Sequence, residues 1–197
     1  MKLQLTTRAP SSRVGIRFIL VAAAVYGFAG LVAYALIRTL PPRPASREVT
    51  FPPAFWFTTA LLALGSACLG RAVRCVKMER QTPFRRCLVA ALIAGTLFVG
   101  VQTYGLACLV RNQIAEEVQT GVNAPLTMAA VLHAMHFSLA LLFLVWITLN
   151  ALADRYDHEY FWGVIVCAWF WHALGVVWLL VLVVFAIACL PGSQTIT

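Results

Sequence analysis

Five apolar runs set the pattern of this chain: about Phe18 to Ile37, Ala54 to Gly70, Cys87 to Val110, Leu126 to Asn150 and Phe161 to Leu190. Each reaches or approaches the ~20 residues that carry a helix across a hydrocarbon core about 30 Å thick. The second is short unless Val49 and Phe51 extend it, and the last two are long enough to tilt or to project beyond the bilayer. A membrane-spanning barrel strand needs only ~10 residues, so runs of this length predict helices. The fold expected is all-α: a polytopic integral membrane protein with five transmembrane helices in one domain, residues 14–190. Short tails, 1–13 and 191–197, flank it.

The breaks between runs are polar or rich in proline. Pro41-Pro42-Arg43-Pro44 ends the first run and Pro52-Pro53 opens the second, because proline lacks the N–H and fixes φ. Arg71, Arg74, Lys77, Arg80, Arg85 and Arg86 are expected to crowd the second connection. Arg111, Glu116, Glu117 and Pro125 occupy the third, and Asp154, Arg155, Asp157, His158 and Glu159 the fourth. The amino-terminal tail with the second and fourth connections holds eleven positive residues: Lys2, Arg8, Arg13, Arg17, the six of the second connection and Arg155. The opposite side holds four, Arg38, Arg43, Arg47 and Arg111. Positive residues stay inside, so the amino terminus is expected in the cytoplasm and the carboxyl terminus outside. A cleaved signal peptide ending near Ala33-Tyr34-Ala35 is a competing reading, but the first apolar run is longer than a typical signal core.

Composition supports a lipid environment. The 197 residues are 61% hydrophobic and 11% charged, against about 25% charged in a typical soluble domain. The net charge of +8 sits in the connections, where topology accounts for it, and no basic aromatic-bearing soluble module suggests nucleic acid. Cys68, Cys75, Cys87, Cys108, Cys167 and Cys189 form no CxxC and read as small core residues. There is no phosphate-cradling glycine loop, no GxSxG and no HExxH.

The unusual chemistry is histidine in the apolar interior. His133 and His136 share a face of the fourth run, and His172 stands in the fifth among Trp169, Trp171 and Trp178. An imidazole facing lipid is costly, so each should face another helix. Three readings stay open from spacing alone. A membrane b-type cytochrome would use His133 or His136 with His172 as axial haem ligands; a metal site would use His133, His136 and a third group; neutral imidazoles would make interhelical hydrogen bonds. No carboxylate lies in any run to orient a ligand or serve as a proton station. Gln102 is the other strongly polar residue expected to reach across to a neighbour, whereas serine and threonine can bond back to their own helix. Gly65, Gly95, Gly100 and Gly105 would allow close backbone approach. Trp56, Trp146 and Trp162 stand near the ends of runs as interfacial anchors; Trp169, Trp171 and Trp178 are too deep for that and belong to packing or a subunit interface.

Several segments resemble one family. Leu132-His133-Ala134-Met135-His136-Phe137 resembles the F-H-G-x-H-V segment of subunit III of the haem-copper oxidases, such as cytochrome c oxidase. Ala168-Trp169-Phe170-Trp171-His172 with Val177-Trp178 is similar to its A-W-Y-W-H-F-V-D-V-V-W segment without a gap. Gly95, Phe98 and Gln102 resemble its G-x-x-F-x-x-x-Q, and Thr59-Ala60-Leu61-Leu62 with Gly65-Ser66 its T-x-L-L before small residues. Together they span roughly Pro52 to Phe185. The departures are three acidic positions of the family, here Gly105, Ile165 and Gly175. Family acids at such positions are linked to lipid binding and to sustaining proton uptake by subunit I.

The resemblance implies an accessory, non-catalytic subunit of a respiratory terminal oxidase, in a five-helix form. Its complex would reduce dioxygen and move protons in the electron transport chain. Subunits I and II would be its partners, in the cell membrane of a prokaryote, with bound phospholipid between helices. The related small subunit of a nitric oxide reductase is the alternative complex. The family holds no haem or copper in this subunit, so the resemblance implies no catalytic, cofactor or metal residue here. His133, His136, His172 and Gln102 would be interhelical polar contacts, and Trp169, Trp171 and Trp178 packing or interface.

Overall fold

The computed structural model describes residues 12–40, 54–111, 124–156 and 161–188. Among them are five helices and no strand: α1 (Ser12–Thr39), α2 (Ala54–Lys77), α3 (Gln81–Arg111), α4 (Ala124–Leu152) and α5 (Trp162–Ala188). All five are long and apolar enough to cross a membrane, and the chain is a multi-pass membrane protein. The prolines at 41–44 and 52–53, Glu116, Glu117, Asp157, His158, Glu159, Cys189, residues 1–11 of the amino-terminal tail and the tail 191–197 lie outside the described residues, whereas Ser12 and Arg13 begin α1.

The second connection is shorter than its charge suggested. Arg71, Arg74 and Lys77 are helical and lie on the exposed side of α2, while Ala72, Cys75 and Val76 of the same turns are buried. Spacing of three residues keeps the cations on one face, so the helix runs past the apolar run without burying charge. Arg85 and Arg86 likewise belong to the first turns of α3. Only Met78 to Arg80 remain as the turn.

Two helix ends at this same end of the bundle close alike. Glu79 and Asp154 both take positive φ, 59° and 54°. After α2, the N–H of Arg80 donates to the carbonyl of Cys75 and that of Glu79 to Val76. After α4, the N–H of Arg155 donates to Asn150 and that of Asp154 to Ala151. Each pair is a Schellman closure, which satisfies carbonyls that the helix end would otherwise orphan. Arg85 of α3 pairs with Asp154, joining the two closures. Both side chains are partly in water, so this pair contributes about 0–1 kcal/mol. Gln81 Nε2 donates to the carbonyl of Tyr156 beside it, at 3.2 Å.

Helices α2, α3, α4 and α5 pack in a ring, each against the next and α5 against α2. Helix α1 lies outside the ring along α3 and α4. It approaches closely at Gly100, where a Cβ would lie 2.8 Å from the carbonyl oxygen of Ala29. Tyr26 OH donates to the carbonyl of Ser138 at 2.7 Å, and Phe18 meets Trp146 edge to face at 5.6 Å. Trp146 is thus a seat for α1.

Trp171 fills the middle of the ring. It is 1% exposed, and its indole lies against all three other helices of the ring. A Cβ at Gly65 of α2 would lie 2.7 Å from its Cζ2, and a Cβ at Gly95 of α3 would lie 2.8 Å from its Cη2. Phe137 of α4 meets it edge to face at 4.8 Å. The large ring spans the bundle because two glycines leave a slot for it. Filling a packed slot typically costs about 1–3 kcal/mol.

Gly65→Ala and Gly95→Ala are each expected to lower the thermal midpoint of the detergent-solubilised chain by roughly 2–12 °C, given about 2–4 °C per kcal/mol at this size. Gly70→Ala, where nothing lies within 4 Å of a Cβ, leaves the midpoint within a degree or two of the parent or raises it. Thermal scans with intrinsic tryptophan fluorescence measure all three.

Candidate functional site

The interior polar groups sort into three kinds. Thr96, Thr103, Ser138 and Thr148 donate to the carbonyl four residues back in their own helices. A membrane helix satisfies hydroxyls in this way at little cost. Asn150 Nδ2 does the same with Trp146, while its Oδ1 accepts from Arg155. These groups carry no chemistry toward a ligand.

The second kind ties helix to helix, and it lies along the α2–α5 seam. Ser66 Oγ and His172 Nδ1 share a hydrogen bond at 2.5 Å. Trp178 Nε1 donates to Thr59 Oγ1 at 3.3 Å, and Trp171 Nε1 reaches the carbonyl of Leu62 at 3.5 Å. The two helices run antiparallel, so these contacts climb the seam in step. Ser66 follows Gly65, and His172 follows Trp171; the residue that opens the slot and the residue that fills it each precede one partner of this bond. The seam therefore fixes register by shape and by polarity together.

The third kind is buried and unsatisfied. His133 is 4% exposed and Gln102 is 5% exposed. Among the described residues, neither ring nitrogen of His133 has a hydrogen-bond partner, nor does Gln102 Oε1. His133 stacks on Trp178 with centroids 5.3 Å apart and planes 22° apart.

The three histidines do not converge. His133 is inside, stacked on Trp178. His136 is on the exposed side of α4, where its Nδ1–H donates to the carbonyl of Leu132 in its own helix at 2.7 Å. His172 lies beside Ser66, six residues before the Trp178 on which His133 stacks, roughly 9 Å along the helix axis. Among the described residues, no three His, Cys, Asp or Glu side chains come together as a metal site. The tryptophans divide as well: Trp171 and Trp178 are each 1% exposed, whereas Trp169 is 73% exposed on the outer face of α5.

Sequence reasoning missed the partners. Ser66 and Thr59 read only as hydroxyls able to bond within their own helix, and nothing in the sequence paired Gly65 with Gly95 around one indole. Their signal was faint: each lies in a short motif that α2 or α3 shares with a resembled segment.

Residues 52–189 match the protein family described as cytochrome c oxidase subunit III. The chain belongs to that family. The match takes in α2 to α5, the ring around Trp171, and leaves α1 outside it. The chain is accordingly a subunit III-like component of a haem-copper oxidase and associates with other oxidase subunits in a complex. Gly105, Ile165 and Gly175 all lie within the matched residues. A Cβ at Gly175 would meet only Leu62, at 3.7 Å.

A double-mutant cycle on Ser66→Ala and His172→Leu tests the polar tie of the seam. The expected coupling is about 0.6 kcal/mol, the average for interhelical hydrogen bonds in membranes, and at most about 1.7 kcal/mol. It is read as non-additive shifts in thermal midpoint; additive shifts would show that the two side chains do not interact.

Proposed function

We propose that this chain is an accessory, non-catalytic subunit that packs on the catalytic subunit of a respiratory terminal oxidase and stabilises it. Subunits I and II are its partners in this reading. The complex reduces dioxygen with coupled proton movement, and electrons travel through those partners. The cell membrane of a prokaryote is the proposed location, with the basic end of the bundle and the amino terminus in the cytoplasm. The observation that carries the reading is the family match over α2 to α5.

The arrangement of α5 supports it and suggests where the partner packs. Trp169 and His172 are three residues apart, and both are exposed in the isolated chain. Val166, Val176, Val177 and Leu180 extend that outer side. An imidazole at membrane depth is disfavoured by lipid and favoured by a protein neighbour. A large exposed indole is the side chain that most often anchors an interface. We assign this face of α5 to contact with the catalytic subunit.

Gentle purification through a tag on this chain, followed by identification of co-purifying chains, is expected to recover subunits I and II with their haem absorbance. Trp169→Ala is expected to lower that recovery several-fold while leaving the thermal midpoint of the isolated chain unchanged. Trp162→Ala, at the end of α5, has no such effect. A tagged chain that purifies without oxidase subunits would contradict the assignment.

A further inference from the structure

We propose that Gln102 and His133 form a buried hydration site, holding one or two ordered water molecules between α3 and α4. The placement follows from register. Phe98 of α3 packs on Phe137 of α4 with ring centroids 4.2 Å apart. The two helices are antiparallel, so four residues forward on α3 and four back on α4 move the same way along the seam. Those steps lead to Gln102 and His133. Each stands roughly two and a half turns inside its helix end, Arg111 for α3 and Ala124 for α4.

Both side chains are more than nine-tenths buried, and three of their polar atoms lack a partner among the described residues: Gln102 Oε1, His133 Nδ1 and His133 Nε2. The other unpartnered buried side-chain atom among the described residues is Arg85 Nε, at the opposite end of α3. In lipid no bulk solvent serves such atoms, so leaving them unpaired is expensive. Among the described residues, the walls do not supply partners. Trp178 covers one face of the imidazole, and its indole N–H goes to Thr59. Phe98 and Phe137 close the next turn.

The chemistry selects the occupant. A neutral imidazole has one donor and one acceptor nitrogen, on opposite edges of the ring. One amide cannot reach both edges, so a direct Gln102–His133 bond would still leave a ring nitrogen unserved. A charged ligand would find no counter-charge, since α3 carries no Asp, Glu, Lys or Arg between Arg86 and Arg111 and α4 carries none at all. One imidazole and one amide are too few ligands for a metal ion. A water molecule donates to the Gln102 carbonyl oxygen and to the basic ring nitrogen, and a second accepts from the ring N–H and donates to a main-chain carbonyl of the adjoining turn. Buried waters are held in this manner, by two to four polar groups each.

The test uses the intact complex. A density map fine enough to resolve ordered water is expected to show a peak about 2.7–3.2 Å from both the Gln102 amide and a His133 ring nitrogen. Solid-state NMR on histidine-labelled complex is expected to show a cross-peak from slowly exchanging water to the His133 ring. Gln102→Leu should abolish or strongly reduce that cross-peak, and His136→Gln should leave it. If Gln102→Leu fails to assemble, the wild-type map and spectrum decide alone. A direct Gln102–His133 contact with no water peak, a side chain from elsewhere reaching the ring nitrogens, or no water cross-peak would overturn the proposal.

Discussion

One fit organises this molecule: the indole of Trp171 in the slot between Gly65 and Gly95. Membrane helices have little hydrophobic drive to associate, because lipid tails are as apolar as leucine. What holds them is close packing and the few polar groups that cannot face lipid. Trp171 supplies both. Its ring reaches from α5 to the diagonally opposite α3, touches α2 on the way and meets Phe137 of α4. Its neighbour His172 takes the hydroxyl of Ser66, the neighbour of Gly65. A slip of one helix turn along this seam would drive a side chain into the slot and break the hydrogen bond at once.

From that seam the rest of the bundle follows in layers. Trp178 repeats the pattern two turns along, with its N–H on Thr59 and its face under His133. At the opposite end, the two Schellman closures and the Arg85–Asp154 pair hold α2, α3 and α4 where cations can remain in water. Helix α1 is added from outside through Tyr26, Phe18 and the close approach at Gly100. Its residues fall outside the family match, so the ring and its cover are distinct parts of the chain. The outer face of α5 keeps Trp169 and His172 exposed, and the proposed role in a larger complex uses that face.

The architecture was legible in the sequence, since five long apolar runs separated by prolines and charge leave little other than five helices. The family was legible too, through short segments whose order mattered more than any one of them. The limits were physical. Helix α2 runs through Arg71 and Arg74 because the cations line one exposed face, a distinction that counting charge along the chain does not make. Helix α5 is apolar on every side, so no polar face revealed that Trp171 turns inward while Trp169 turns out. Gly65 and Gly95 are thirty residues apart on different helices, and only three-dimensional packing shows that they flank one ring. His133, His136 and His172 shared an alphabet but not a location, which spacing along two helices does not disclose.

The most direct measurement is a double-mutant cycle between Gly65→Ala and Trp171→Phe, read as thermal midpoints of the solubilised chain. The three atoms nearest a Cβ at Gly65 all belong to the Trp171 indole, so if the slot sets the packing, the smaller phenyl ring leaves room for the added methyl. Gly65→Ala should then cost far less in the Trp171→Phe background than in the parent, a coupling of about 0.5–3 kcal/mol. Equal costs in the two backgrounds would contradict the account, because they would mean that Gly65 and Trp171 do not meet.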